Sequence, residues 1–156
     1  MKTWRELAVA APVLARKGHE LLYRTGPGTA LLVTVRGDEP PRAHPISVGV
    51  VGGGLYAFIL PSPKLEDLEV DGRYALHAHF DPSEPHEFLL RGRARAVEDP
   101  VRRVLAADWS WTVGQARCFE FLIEDALYGE RASADDWPPT YTTWSSTQPT
   151  RVSEAG

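Results

Sequence analysis

Apolar residues recur at helical spacing in the first part of the chain, residues 1–27. Thr3 followed by Glu6 has the form of a capping box, in which each residue satisfies a free amide of the other. Pro12 would end this first helix, and it suits the first turn of a second one. The pattern therefore predicts two N-terminal helices that pack on the rest of the protein.

Strand-like patterns dominate the middle of the chain, residues 28–130. Short turns rich in glycine and proline separate runs of β-branched and alternating residues. Two short helices interrupt these runs, and they are too few to cover a parallel sheet on both faces. We predict a mainly β fold with flanking helices, a six-stranded antiparallel barrel. The predicted strands are 29–35, 42–51, 55–60, 73–80, 87–97 and 117–127, and the predicted short helices are 65–70 and 99–107.

The last part of the chain, residues 131–156, is rich in Ser, Thr and Pro and is interpreted as a C-terminal tail. It nevertheless contains Trp137, Tyr141 and Trp144, and a flexible tail seldom keeps three large aromatic residues. We expect this segment to pack against the body of the protein or against a partner chain. The whole chain is expected to form one domain, since 156 residues fall in the usual range for one.

The most informative stretch lies between residues 41 and 64. A strand over 42–51 is followed by three glycines that allow a tight reversal, and then by a strongly apolar strand that ends at Pro61. Ser62 and Lys64 come next, at the start of the predicted helix over 65–70. The acids of that helix, Glu66, Asp67 and Glu69, are expected on its exposed side and suit the positive end of the helix dipole.

A phosphate group needs positive charge, hydroxyl or amide donors and, ideally, the start of a helix. Ser62 and Lys64 offer these together, so they are candidates for a phosphate site. In the alternative interpretation Ser62 is simply the N-cap and Lys64 is a solvated residue of the first turn. Arg42 and His44 share one face of the preceding strand, where they could hold an anion or the polar edge of a ring system; alternatively they are polar residues on an exposed edge.

Composition and charge exclude several classes of protein. The formal net charge of -4 argues against a nucleic-acid binder. The single cysteine, Cys118, excludes an internal disulfide, and its apolar surroundings in sequence argue against a nucleophile. No segment is long and apolar enough for a membrane span, and charged residues interrupt the N-terminal apolar run, so we expect a cytoplasmic protein. The abundance of Arg, Ala, Gly and Pro is typical of GC-rich bacterial genomes.

His77 and His79 lie two residues apart on a predicted strand, a spacing suited to one metal ion. With Glu84 they nearly match the first motif of cupin barrels, but two spacings differ by one and no histidine follows His86. We therefore expect no metal site, and we interpret His77 as facing a cofactor or a dimer interface.

These motifs together resemble the pyridoxamine 5′-phosphate oxidase-like, flavin-binding split-barrel proteins. The resemblance covers about residues 28–125, and it lies in the order and spacing of the segments rather than in any one of them. In order, the segments are TALLVTV, PRAHPIS, GGGLYAFI, SPKLEDLEVDGRYALH, FLLRGRARAV and CFEFLIED.

The resemblance implies a homodimer that binds FMN in a groove shared by two subunits and acts on a small organic molecule. It implies that the ring and ribityl chain are bordered by Arg42, His44, Pro45, Ile46 and Ser47. Backbone or apolar contacts would come from Phe58, Ile59 and Leu60, and the phosphate would be bound by Ser62 and Lys64. Trp109 and Trp111 could stack on the flavin, or they could belong to the core or an interface.

Two departures and two alternatives qualify this prediction. Pro63 stands where the oxidase carries an arginine, and the oxidase's C-terminal substrate signature is absent after Leu127, so the substrate stays open. Related reductases on the same fold use the deazaflavin F420, whose anionic tail seeks basic surface. The alternating arginines at 91, 93 and 95 could provide it, or they could be the solvent side of a half-buried strand. The other alternative is a non-catalytic carrier of flavin or haem.

Overall fold

A computed structural model describes residues 1–98, 101–108 and 114–154. Within these residues the chain forms four helices and nine strands, so the antiparallel, mainly β class is confirmed and the count of six strands is wrong. The helices are α1 (Trp4–Ala10), α2 (Pro12–Tyr23), α3 (Pro63–Val70) and α4 (Val101–Asp108). The strands are β1 (Thr29–Thr34), β2 (Arg42–Ser47), β3 (Gly49–Val51), β4 (Gly54–Ile59), β5 (Arg73–His77), β6 (Glu87–Ala96), β7 (Arg117–Glu130), β8 (Thr140–Ser145) and β9 (Gln148–Glu154).

All nine strands belong to one antiparallel sheet, in which seven follow the order β2-β1-β5-β6-β7-β4-β3. The long strand β7 serves two partners in addition to β6: its first residues pair with β4 and its last residues pair with β8. Strand β9 pairs only with β8 among the described strands. The sheet thus branches at β7, with the C-terminal hairpin on one side.

The single strand predicted over 42–51 is two strands, because the chain changes partners at Val48. Strand β2 pairs with β1 at one end of the sheet, and β3 pairs with β4 at the other end. Val48 is buried, and its N–H donates to the carbonyl of Gly28 at 3.0 Å. This short crossing brings the two ends of the sheet together, so the sheet curls into a barrel that is incompletely closed between β2 and β4.

The N-terminal helices cover one opening of this barrel. The predicted capping box is present: the Thr3 hydroxyl accepts from the amide of Glu6 at 3.3 Å, and the Glu6 carboxylate accepts from the amide of Thr3 at 2.7 Å. Helix α2 lies very close to the sheet at Gly18, where an added Cβ would be 2.3 Å from the ring of Phe88. Both helices contribute fully buried leucines to the main core.

The segment predicted as a tail forms the β8–β9 hairpin. Trp144 is only 6% exposed and joins the main core, whereas Trp137 is 73% exposed. The packing against the body that we expected is therefore carried by Trp144 and by the pairing of β8 with β7. Composition alone hid this hairpin, since Ser, Thr and Pro are also typical of disordered segments.

Two sequence predictions fall outside the described residues, namely the role of Trp109 and Trp111 and the predicted helix start at 99–100. None of the helices that the structure describes is long and apolar enough to span a membrane.

Candidate functional site

Where the barrel is incompletely closed, the edges of two strands face each other without pairing. In the part of the chain that the structure describes, no strand pairs with the edge of β2 that lies away from β1. Strand β3 pairs with β4 only over Gly54–Tyr56, and β2 also lies close to β4. Helix α3 begins four residues after β4 ends. We call this region, bounded by β2, by 58–60 and by the start of α3, the β2–β4 cleft.

One buried carboxylate connects the walls of the β2–β4 cleft. Asp67 of α3 is only 1% exposed, and its Oδ2 accepts from the Thr34 hydroxyl at 2.8 Å and from Arg42 Nε at 2.7 Å. Its Oδ1 accepts from Arg36 Nε at 3.0 Å. Arg36 also contacts the Glu66 carboxylate at 3.1 Å. The start of α3 is therefore fastened to β1, to the β1–β2 connection and to β2.

The position of Asp67 corrects the expectation that this residue lies on the exposed side of α3. Burial acts to raise the pKa of the Asp67 carboxyl, but its hydrogen-bond donors outweigh this effect and hold the pKa below its ordinary value. The charged form is thus the stable one, as a buried carboxylate requires two or more donors to be tolerated.

Ser62 is the N-cap of α3. Its hydroxyl donates to the carbonyl of Leu60 at 2.8 Å and accepts from the amide of Leu65 at 3.3 Å. Because its proton is used within the chain, Ser62 would have to turn away from Leu60 to donate to a phosphate. Lys64 is half-buried in the first turn of the same helix. Pro63 occupies the first helical position, where its missing N–H removes one possible phosphate donor.

The residues predicted from β2 divide between the two faces of the sheet. Arg42, His44 and Ile46 lie opposite Thr34, Leu32 and Ala30, so they face the barrel interior. Pro45 and Ser47 are exposed on the outer face. A ligand that touched residues of both faces would have to lie along the unpaired edge of β2.

His44 carries an unsatisfied polar atom. Its Nε2 is buried and, within the described chain, has no hydrogen-bond partner. Leaving such an atom unpaired is unfavourable. A polar ligand atom in the β2–β4 cleft would supply the missing partner if the imidazole turned toward it.

Two of the three residues predicted from β4 and its end have buried side chains, so they could contact a ligand only through their backbone. Phe58 and Ile59 are buried, and Phe58 belongs to a second small core with Leu105 and Cys118. Leu60 is 55% exposed just after the strand ends. Apart from Leu60, contacts from this wall of the β2–β4 cleft would therefore come from the backbone edge.

His77 lies on the outer face of the sheet, away from the β2–β4 cleft. It stands opposite Leu31 and Leu89 and is half-buried, and its Nδ1 contacts the carbonyl of Ala78. Strand β5 ends at His77, so His79 does not continue its face as we predicted. Among the described residues no group of three or more His, Cys, Asp or Glu side chains is placed to hold a metal ion.

The arginines of β6 are engaged by neighbouring groups. Arg91 forms a two-point contact with Asp125 at 2.8 and 3.0 Å, and Arg95 contacts the buried Glu120 at 2.6 Å. Arg93 donates to the carbonyl of Asp71 at 3.0 Å. Most of the positive charge expected for an anionic tail is therefore neutralised within the sheet.

Sequence reasoning missed the three residues that organise this site, Thr34, Arg36 and Asp67. Thr34 was interpreted only as part of a buried strand, and Asp67 only as a helix-dipole acid. The signal that could have found them is weak: a threonine and an arginine at the end of one strand, and an aspartate one turn into the helix that follows the hairpin.

Comparison with known proteins supports the fold. No family model matches the chain, and no curated protein sequence matches it. Among solved structures, an FMN-binding, pyridoxamine 5′-phosphate oxidase-related protein from Nostoc punctiforme PCC 73102 superimposes with a TM-score of 0.69 at 11% identity, covering 96% of each chain. PhzG from Burkholderia lata 383, solved with tetrahydrophenazine-1-carboxylic acid, gives 0.67 at 10% identity over 92% of this chain and 91% of that one.

The chain has the pyridoxamine 5′-phosphate oxidase-like split-barrel fold. The resemblance predicted from the order of the sequence motifs is thus confirmed at the level of the fold. Proteins that bind different ligands share this fold. HutZ, the haem storage protein of Vibrio cholerae, has a TM-score of 0.55 at 14% identity over 74% of this chain and 90% of that one. The ligand of this split-barrel protein must be argued from its own residues.

Proposed function

We propose that this split-barrel protein binds FMN in the β2–β4 cleft and uses it to oxidise or reduce a small organic molecule. The observation that carries the proposal is the set of contacts that Asp67 makes with Thr34, Arg36 and Arg42, which we call the Asp67 junction. It places Arg42 beside the first turns of α3 at the unpaired edge of β2. A phosphorylated ring system needs such a combination of a cationic end and a backbone edge.

The residues present fit FMN in three respects. Lys64 and the outer nitrogen atoms of Arg42 supply positive charge near the helix start, and Arg42 is 36% exposed beyond its contact with Asp67. His44 offers an unpaired nitrogen for a polar atom of the ring or ribityl chain. The free edges of β2 and β4 offer amide and carbonyl groups of the kind that recognise the edge of a flavin ring.

When bound, FMN supplies the hydride chemistry, and the chain supplies position, electrostatics and exclusion of water. Arg42 and Lys64 would hold the phosphate, while the edges of β2 and β4 would orient the ring. We assign no catalytic acid or base. Cys118 is not a candidate, because it is fully buried and burial raises the pKa of its thiol to about 11.

The phosphate contact is tested by comparing FMN with riboflavin, which lacks the phosphate. Lys64→Ala should weaken FMN binding about ten- to hundredfold and leave riboflavin binding unchanged, because a charge-assisted contact contributes about 1.5–3 kcal/mol. Lys2→Ala is the matched control, since the side chain of Lys2 makes an exposed contact with Glu6 at 3.6 Å and the backbone pairing of Lys2 with Ile123 is kept in the variant. Equal losses for both flavins in Lys64→Ala would remove Lys64 from the phosphate site.

We further propose that two copies associate through the outer face of the sheet. The support is a row of half-buried, largely apolar residues that lie opposite one another on adjacent strands: Leu31, His77, Leu89 and Leu127. A cavity of about 330 Å³ borders this row, between Leu89 and Trp144. Light scattering should give twice the chain mass, and Leu89→Glu should give a folded monomer; a wild-type monomer at high concentration would contradict the dimer.

Haem is a second candidate ligand, and His77 is the observation that favours it. The contact of Nδ1 with the carbonyl of Ala78 leaves Nε2 as the basic nitrogen of the imidazole, which is the form that binds haem iron. A Soret band that is lost in His77→Ala would select haem. F420 is the less favoured flavin, because the arginines of β6 are paired; uptake of F420 in preference to FMN would reverse that order.

A further inference from the structure

We propose that Asp67 is a positioning residue for phosphate recognition: it orients Arg42 so that the outer nitrogen atoms of the guanidinium face a phosphate held at the start of α3. This inference rests on the proposed binding of FMN and adds to it a residue that touches no ligand. It assigns to a buried negative charge a favourable effect on the binding of an anion.

The geometry of the junction is the first support. Asp67 lies one helical turn after Lys64, yet its donors come from the opposite wall of the β2–β4 cleft, from Thr34 and Arg42 on two adjacent strands. Arg42 uses Nε, at 2.7 Å, for this contact. Since Nε is the inner nitrogen of the guanidinium, this contact does not use the outer edge of the group. One outer nitrogen, Nη2, lies 3.5 Å from the exposed Glu39 carboxylate, which a phosphate would have to displace to make a two-point interaction.

The second support is that, within the described residues, Arg42 has little else to hold it. Its other ionic contact is with Glu39 at 3.5 Å, and Glu39 is 55% exposed. A solvated contact of this length contributes little. Without Asp67 the long side chain would sample many rotamers, and binding an anion would then require ordering it at that moment.

Arg36 completes the junction on the other oxygen of Asp67. Its Nε donates to Oδ1 at 3.0 Å, and its Nη2 lies 3.4 Å from the carbonyl of Pro63, next to Lys64. Arg36 also pairs with Glu66 at 3.1 Å and Arg42 with Glu39 at 3.5 Å, so carboxylates balance the two guanidinium groups and the junction itself has no excess of positive charge. Glu66 and Glu39 are 66% and 55% exposed, so solvent screens them, and the role of Asp67 is to fix where the Arg42 guanidinium lies.

Two explanations predict opposite changes in the FMN affinity of an Asp67→Asn variant, and the test distinguishes them. If only charge mattered, Asp67→Asn would remove a negative charge near the phosphate and strengthen FMN binding. If Asp67 positions Arg42, the same variant should weaken FMN about tenfold and leave riboflavin unchanged, since the effect is that of one charge-assisted hydrogen bond. The dissociation constants are measured by quenching of flavin fluorescence. Asp71→Asn, at the far end of α3 and paired with Arg73, is the matched control. It should keep the wild-type ratio of FMN affinity to riboflavin affinity.

A double-mutant cycle separates positioning from a general loss of structure. In an Arg42→Gln background, Asp67→Asn should no longer change the ratio of FMN to riboflavin affinity, because the residue through which it acts is gone. If Asp67→Asn does not fold, Thr34→Val keeps the shape, removes one donor to Oδ2 and should lower the ratio by a smaller factor.

Three results would overturn the inference: an unchanged or raised ratio in Asp67→Asn and Thr34→Val, equal losses for both flavins, or a loss that persists undiminished in the Arg42→Gln background. Failure of the proposed function looks different. In that case the wild-type protein takes up neither FMN nor riboflavin, and the role assigned to Asp67 falls with it.

Discussion

Removal of the Trp144 side chain should destabilise the whole protein, because the β8–β9 hairpin belongs to the core. Trp144 is 6% exposed, lies opposite Ala126 of β7 and is part of the main buried cluster. Replacing a buried tryptophan with alanine costs about 3–5 kcal/mol. In a chain of this length each kcal/mol lowers the melting temperature by about 2–4 °C, so Trp144→Ala should lower it by roughly 6–20 °C.

Trp137→Ala is the matched control, since the same substitution is made at a side chain that is 73% exposed. The guanidinium of Arg131 lies over the Trp137 ring at 5.8 Å, and an exposed contact of this kind contributes about 0.5–1 kcal/mol. Melting is followed by circular dichroism or calorimetry. If both variants melt at nearly the same temperature as the wild type, the hairpin is not an integral part of the fold and the assignment of Trp144 to the core is wrong.

Three further predictions concern packing, pH and reactivity. Gly18→Ala should destabilise the protein by about 1–3 kcal/mol, because its Cβ would collide with Phe88, whereas Val13→Ala on the exposed side of α2 should have little effect on urea unfolding. The pKa of Asp67 is lower in the folded protein than in the unfolded chain, so its contacts contribute their full stabilisation of the fold above about pH 4. This stabilisation is lost as the pH falls through the folded-state pKa. In urea titrations at several pH values, Asp67→Asn should lack this acid-dependent loss of stability. Burial raises the pKa of Cys118 to about 11, so the native protein should not react with a thiol reagent at pH 8 and should react once unfolded.

Features that depend on neighbouring residues were predictable from the sequence. The capping box of α1 involves Thr3 and Glu6 alone, and the start of α3 follows from Ser62 and Pro63. The order of strands around the glycine turn was also predictable, because each strand has its own pattern. These local signals, taken in order, were enough to indicate the split-barrel fold.

Features that depend on distant partners were not predictable. The run 42–51 has one continuous strand pattern, yet the chain changes partners at Val48, because Gly28 lies close enough to accept its amide. Asp67 has the sequence context of an exposed helix acid, and it is buried only because two arginines and a threonine reach it from other elements. The division of the β2 residues between two faces likewise became visible only when their partners on β1 were known.

The uptake of FMN by the purified wild-type protein tests the central claim most directly. The protein is titrated with FMN while flavin fluorescence and the visible spectrum are recorded. The account predicts saturable quenching at one FMN per chain, with a yellow complex that survives gel filtration and with riboflavin bound more weakly. A protein that remains colourless and leaves FMN fluorescence unchanged would contradict it.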